Sequence, residues 1–381
     1  MARREFLQLA EHYNPAKANV AGWYISEKLD GTRCFWDGGL TRGLPTESVP
    51  WASIIDPKTG QKKAKIKPLA TGLWSRYGNP IMAPDWWLNR LPCVPLDGEL
   101  WAGRGKFQLC RSICGGDAPD ERFDKIVFAV YSTPPLGAVF STGQIKNANM
   151  VRNVDYLTIE AWIRKRLNER GERFEGVPVP KRCLGDHFKF LQACQPFDTE
   201  VTLLHDALDN LDPESVCYLH PQTKLIDVPG EAHEQVEAYL QRVLDKGGEG
   251  VVIRNPEGIW TPKRHRNILK YKPFQDAEAR VTGFTSGRET VKGSRLLGKI
   301  GALIVDYRGK RLELSGLTDA EREFLNADMA ATAAGKPGQD VPAHFQGKSF
   351  KVGQTVTFKY RELTDDGIPK EARYWRRRDA E

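Results

Sequence analysis

No apolar run in the 381-residue chain approaches the ~20 residues that a bilayer-spanning helix needs, which excludes a helical membrane protein. Nor does an apolar stretch follow the charged start, Met1-Ala2-Arg3-Arg4-Glu5. A secretory signal is therefore not expected, and the expected compartment is the cytoplasm. Cysteine is scarce: the seven present, an odd number without framework spacing, exclude a disulfide scaffold and fit reduced thiols. The one zinc-like grouping, Cys110 and Cys114 with Cys183, His187 and Cys194, lacks paired Cys-x-x-Cys spacing. Buried free thiols are its better reading. Internal repeats and low-complexity tracts are also missing, so a solenoid or a disordered tail is not expected. What remains is an ordinary globular composition, 40% hydrophobic and 28% charged, in a chain long enough for two domains.

The net charge of +7 is modest but unevenly placed. Lys62, Lys63, Lys65 and Lys67 form one cluster; Lys263, Arg264, Arg266, Lys270 and Lys272 form another with no acid among them; Arg376, Arg377 and Arg378 crowd the C-terminus. Basic patches favour a polyphosphate or nucleic-acid partner, against the plainer reading of solvated surface lysines.

The chain is organised around Glu27-Lys28-Leu29-Asp30-Gly31-Thr32-Arg33. Apolar residues before it (Val20, Trp23, Tyr24, Ile25) and aromatics after it (Phe35, Trp36) make it a loop between two strands. Lys-x-Asp-Gly-x-Arg arises by chance in roughly one chain of this length in a few hundred. From 38 to 71, Pro, Gly and Lys predict an extended loop or hairpin inserted at the surface. Strands are predicted at 72–78, 94–100, 126–131, 249–254 and 268–272, the last with Lys270 and Lys272 on one face. A helical insertion is predicted over about 134–220, with Leu157, Ile163 and Leu167 on one face and Val201, Leu204, Leu208 and Leu211 on another. A further helix covers about 231–245 and ends at Gly247-Gly248. After Pro273, strands recur at 279–284, 300–307, 311–315 and 355–361. The capping box Thr318-Asp319-Ala320-Glu321 predicts a helix running to about Leu325, and 330–338 reads as a loop. About five strands with one interposed helix predict a small OB-type barrel. The expected class is α+β, with domains 1–273 and 274–381.

A lysine attacks only as the neutral amine. Desolvation and neighbouring cations favour that form, at about 1.4 kcal/mol per pKa unit. Arg33, Lys270 and Lys272 are candidates for the cationic field and for holding phosphate oxygens, while Glu99 and Glu249 are candidates for a divalent cation. Tyr131 ends an apolar strand and offers a flat face for a purine. Each has a plainer role open to it. Asp97-Gly98 alone is a turn, Glu249 a solvent-facing strand residue, Tyr131 or Phe128 core, and Lys270 and Lys272 the outer face of an edge strand. What weighs against these is that all occur together, in one order.

In that order, Lys28-Leu29-Asp30-Gly31-Thr32-Arg33 resembles motif I of the covalent nucleotidyltransferases, the superfamily of DNA ligases, RNA ligases and mRNA-capping enzymes. Ser75-Arg76-Tyr77-Gly78 resembles its Ser-Arg-x-Gly element, Asp97-Gly98-Glu99 motif III, and 126–131 the strand of motif IIIa. Glu249-Gly250-Val251-Val252 resembles motif IV and Leu269-Lys270-Tyr271-Lys272 motif V. The tail is similar to a ligase OB domain in Gly298-Lys299-Ile300-Gly301-Ala302-Leu303 and from Gly367-Ile368-Pro369-Lys370 through Arg376 and Arg378. Within the superfamily the arrangement is most similar to minimal ATP-dependent DNA ligases of bacterial or phage type.

The resemblance implies a nucleotidyltransferase domain, of ATP-grasp-like antiparallel sheets with helices, followed by the OB barrel. It implies that Lys28 attacks the α-phosphate of ATP and releases pyrophosphate. The AMP then passes to the 5′-phosphate of a nick in duplex DNA, and the 3′-hydroxyl displaces it. It further implies Glu27 near adenine, Arg33 and Arg76 at the sugar-phosphate, and Glu99 at ribose and metal. Tyr131 would stack on adenine, Glu249 would bind Mg2+ or Mn2+, and Lys270 and Lys272 would hold the α-phosphate. The chain departs from the family pattern in three places. Tyr131 is followed by Ser132 rather than an acid, leaving Phe128 as the other stacking candidate. An Arg-x-Asp-Lys motif VI is missing, with Arg376 and Arg378 its nearest candidates for pyrophosphate or DNA contact. Only 27 residues precede Lys28, so the expectation is that the two domains themselves grip DNA, with 62–67 and 134–220 as candidates for extra contacts. Such a ligase is expected to be a monomer serving DNA repair, replication or recombination, in a host's cytoplasm if phage-encoded. The rival readings are an RNA ligase or capping guanylyltransferase, and a non-catalytic OB-containing nucleic-acid-binding protein.

Overall fold

The computed structural model describes residues 6–377 apart from 57–58, 137–138, 140–194, 209–213, 290–292, 294, 362 and 365. The chain divides into two compact units, Met1–Tyr271 and Lys272–Glu381. Among the described residues no helix is long and apolar enough to cross a membrane.

The first unit holds two five-stranded sheets. One has the order β1 (Leu9–His12), β10 (Arg264–Tyr271), β9 (Val251–Arg254), β2 (Tyr24–Glu27), β8 (Thr223–Lys224). The other has the order β4 (Leu73–Ser75), β3 (Thr32–Asp37), β5 (Pro95–Trp101), β6 (Val127–Ser132), β7 (Cys217–Leu219). Each sheet buries one face under helices. Ala232, Val236, Leu240 and Val243, spaced at helical intervals on Pro229–Asp245, pack on Ile25, Val251, Ile253 and Leu269 of the first sheet. Phe107–Cys114 and Phe197–Leu208 cover Cys34, Trp36, Leu96, Leu100, Phe128 and Val130 of the second. Because strand side chains alternate, the opposite faces are left to Lys28, Val252, Arg254 and Lys270, and to Arg33, Asp97, Glu99 and Tyr131.

The segment 38–71 is irregular, with a 3-10 turn at Thr46–Ser48, yet it is not a surface insertion. Leu40, Val49, Trp51, Ala52 and Ala70 are buried with Phe6, Phe35 and Trp74, and Trp51 meets Trp74 edge-on at 5.8 Å. Its hydrophobics are too irregularly spaced to show a period, which is why pattern reading missed this core. Two of its lysines serve structure. Lys63 donates to Ser53 and Asn79 at 2.7 and 3.0 Å, and Lys67 to the carbonyls of Pro80 and Gly116 at 3.0 and 2.8 Å. Leu157, Ile163, Leu167, Leu211, Cys183, His187 and Cys194 lie outside the described residues. The five described cysteines, Cys34, Cys93, Cys110, Cys114 and Cys217, are free thiols.

The second unit is a five-stranded antiparallel sheet of order β13 (Lys310–Leu314), β12 (Ile300–Tyr307), β11 (Gln275–Ser286), β14 (Thr355–Tyr360), β15 (Arg373–Arg377). The long β11 pairs with β14 through its first half and with β12 through its second. A parallel bridge from Ser315 to Arg373 joins the two ends and closes the barrel around Val281, Phe284, Leu303, Val305, Phe350 and Phe358. The expected helix at 318–325 does not form. The Thr318–Glu321 box is present, with Thr318 N donating to Glu321 Oε2 at 2.8 Å, but it closes a single turn. Buried Arg322 donates to the carbonyls of Ile300 and Gly301, and Phe324 bridges to Gly347, which holds the chain extended. The helix starts later, at Ala327–Ala334, where Asn326 accepts from Met329 N at 2.9 Å. The expected loop at 330–338 is thus helical in its first half.

Candidate active site

Lys28 sits on the short connection between β2 and β3, and two close approaches fix that connection. A Cβ on Gly31 would stand 2.2 Å from the Leu100 carbonyl oxygen, so only glycine lets the turn lie on β5. Lys28 N donates to Gly250 O at 2.8 Å, which ties the same turn to the residue before β9. The result places the Lys28 ammonium in an ion pair with Glu249.

Glu99 faces this pair from β5, directly across from Arg33 on β3. Burial pushes its carboxyl up to about 8, against the pull of Lys28 and Arg33, and the Glu249 carboxylate pushes the same way. Arg33 is itself held bidentately by Asp97, at 3.0 and 2.7 Å, with side chains only 17% and 1% exposed. Burial works against the Arg33 charge. Asp97 first, then Tyr131 and Glu99, more than offset it and raise its pKa above the ordinary value. Gly98 between the two acids is forced by β6, since a Cβ there would meet the Ala129 carbonyl oxygen at 2.3 Å.

Tyr131 lies on the site face of β6, its ring centroid 4.7 Å from the Arg254 guanidinium carbon and 5.6 Å from that of Arg33. Burial raises its hydroxyl well above the usual range. Phe128, three residues earlier, points the other way and is fully buried in the helix-covered core. Parity decides between the two aromatics. Lys270 stands opposite Val252 on the neighbouring strand and opposite His12 of β1, half-buried.

Glu27 is gripped by Arg104 at 3.0 and 2.5 Å, and its backbone carbonyl accepts from His220 Nε2 at 2.8 Å. Burial lowers the His220 pKa. Arg254, buried and with its Nε unpartnered, has its pKa lowered by burial and shares its surroundings with Glu200. Glu200 accepts from Ser132 Oγ at 2.7 Å, and burial pushes it up to about 7. Sequence reading passed over Arg104, His220, Arg254 and Glu200. The glycines flanking Arg104 in Gly103-Arg104-Gly105-Lys106, just after β5, and the position of Arg254, two residues beyond Val252, were the available signals.

Four sequence candidates remain. Arg76 is exposed, one residue past the β3–β4 ladder, and donates to Tyr77 Oη at 2.5 Å. Lys272 and Arg376 belong to the second unit, and Arg378 lies outside the described residues.

Comparison with known proteins gives this site its setting. Residues 293–378 match the DNA ligase OB-like domain family. A DNA ligase of Haemophilus influenzae is 23% identical over 371 residues, 97% of this chain and 91% of that one. The chain is thus similar to a DNA ligase along nearly its whole length. One of Natronomonas pharaonis is 28% identical over 157 residues, 38% of this chain and 25% of that protein. A solved structure from a study of Lig E DNA ligases shares the fold, with a TM-score of 0.59 at 24% identity, covering 98% of both chains. The fold shared with that structure combines the two-sheet unit around Lys28 with the barrel.

Proposed function

We propose that the protein is an ATP-dependent DNA ligase that seals 5′-phosphate/3′-hydroxyl nicks in duplex DNA through a lysyl-AMP at Lys28. The observation that carries this is the convergence of Lys28 and Arg33, Glu99, and Glu249 from three separate stretches of chain. Lys28 Nζ forms a bond to the α-phosphorus of ATP as the bond to pyrophosphate breaks. Attack requires the free amine, so the ion pair with Glu249 must open first. Arg33 and Lys270 hold phosphate oxygens, with Arg76 and Lys272 joining them. Glu27 lies near the adenine and Tyr131 stacks on it, a role closed to Phe128 by its place in the core. The AMP then passes to the nick 5′-phosphate, and the 3′-hydroxyl displaces it.

Glu99 and Glu249 fit a divalent cation. Burial, helped by the Glu249 charge, pushes the Glu99 carboxyl up to about 8, and a cation bound between the two acids would offset both. Among the described residues no cluster of three or more acids, histidines or cysteines forms a full cage. That suits Mg2+ or Mn2+ shared with substrate phosphates, where it would neutralise charge developing on the phosphate.

The test is incubation with α-labelled ATP and magnesium, followed by a nicked duplex. Wild type should carry covalent label and lose it to the nick; Lys28→Ala and Lys28→Arg should carry none, since arginine stays protonated. Label on Lys28→Ala sinks the assignment. Substituting GTP for ATP, or an RNA-containing nick, separates it from a capping enzyme or RNA ligase, and an unlabelled wild type would favour a binding protein.

A further inference from the structure

The barrel carries an exposed aromatic ring set among cations on its last strand. β15 pairs with β14 through Arg373–Lys359 and Tyr374–Phe358, then through Arg376–Thr357 and Arg377–Val356. Trp375 is left over as the extra residue of a β-bulge, a device that re-aims a side chain. Tyr374 packs on the barrel core, while Trp375 turns outward and is 44% exposed, the one exposed tryptophan among the described residues. Lys359 Nζ lies 3.6 Å and the Arg376 guanidinium carbon 4.6 Å from its ring centroid. Arg373 and Arg377 are exposed on the same strand, and the acids alongside, Asp276 and Glu278 on β11, leave cations in excess.

We propose that this outward face of β14 and β15 binds an unpaired stretch of DNA strand, with a base stacked on Trp375 and phosphates on Lys359 and Arg376. The choice of DNA rests on the ligase reading. Lysine and arginine alone would suffice for the backbone of a duplex, whose base faces are hidden within the stack. An exposed indole flanked by cations suits a strand whose base faces are open. Base stacking outweighs an exposed cation–π contact, so an arriving base displaces the two cations from the ring to the phosphates.

The experiment measures full-chain binding to fluorescein-labelled dT12 and to a fully paired nicked duplex, by anisotropy at fixed salt. Trp375→Ala should bind dT12 about tenfold more weakly, the loss of one stacked base, while its nicked-duplex affinity changes less than about twofold. Trp375→Phe should keep dT12 affinity within about threefold, since phenylalanine also stacks. Saturating dT12 should quench wild-type tryptophan emission more than that of Trp375→Phe. Equal dT12 affinity in wild type and Trp375→Ala overturns the proposal, as does an equal loss on the nicked duplex, which marks a backbone contact. If Trp375→Ala fails to fold, the quench decides: equal quenching in wild type and Trp375→Phe overturns it. Labelling from α-labelled ATP on the same wild-type preparation separates the two readings, because a missing label removes the ligase while the dT12 result stands by itself.

Discussion

In the unit Met1–Tyr271 the cations around Lys28 are drawn inward against carboxylates and an aromatic ring, whereas in Lys272–Glu381 they stand in water around Trp375 or pair across the surface. Arg33 and Asp97 are nearly out of solvent, while Arg311 and Asp340, bidentate at 2.5 and 2.8 Å, are about half exposed. The geometry of the two pairs is similar and their worth is not. A buried pair leaves an uncompensated charge when broken; an exposed one hands its partners back to water.

Asp97→Ala should therefore be the most damaging change, costing about 3–5 kcal/mol because Arg33 stays behind unpaired. Denaturant unfolding of the full chain, followed through the first unit, reads it; a loss under about 1 kcal/mol would mean that Arg33 finds water. Glu200→Gln should come next and depend on pH. With a native carboxyl near 7 against an ordinary 4.5, the native state holds the extra proton between those values, so stability falls as pH rises through the window. The wild type should lose about 1.4 kcal/mol per pH unit relative to the variant between roughly pH 5 and 7. Parallel stability curves for the two proteins would show that Glu200 does not titrate there. Arg311→Ala should be the mildest, at most about 1 kcal/mol and smaller still in high salt, and a larger cost would erase the contrast between the units.

Much of this was legible because the site hangs on strands whose alternation is plain in the text. The lysine turn, the acid-glycine-acid strand, the 249–254 and 268–272 strands and four of the five barrel strands were placed by turn residues and apolar runs, with ends shifted by a few residues; the last, Arg373–Arg377, was not. Their order carried the functional reading. The choice between Phe128 and Tyr131 was also within reach, since residues three apart on a strand face opposite ways. Other parts were not legible, for physical reasons. Trp51 reaches its core through irregular chain, where no period advertises burial. The capping box at Thr318 is locally sound, but Arg322 and Phe324 are held by strands elsewhere in the barrel, and tertiary contacts override the local signal. Arg104 meets Glu27 across 77 positions, a pairing that no local pattern contains.

The first strand, β1, has a consequence of another kind. It lies alongside β10 in parallel, with Glu11 and His12 against Leu269 and Lys270, and it is four residues long with an irregularity after Ala10. Without it, the eight-residue β10 would present a straight row of unpaired amides and carbonyls. That is a template on which a second copy of the chain adds. A short, kinked strand is a poor template, so these few residues guard the protein against aggregation at the strand that carries Lys270.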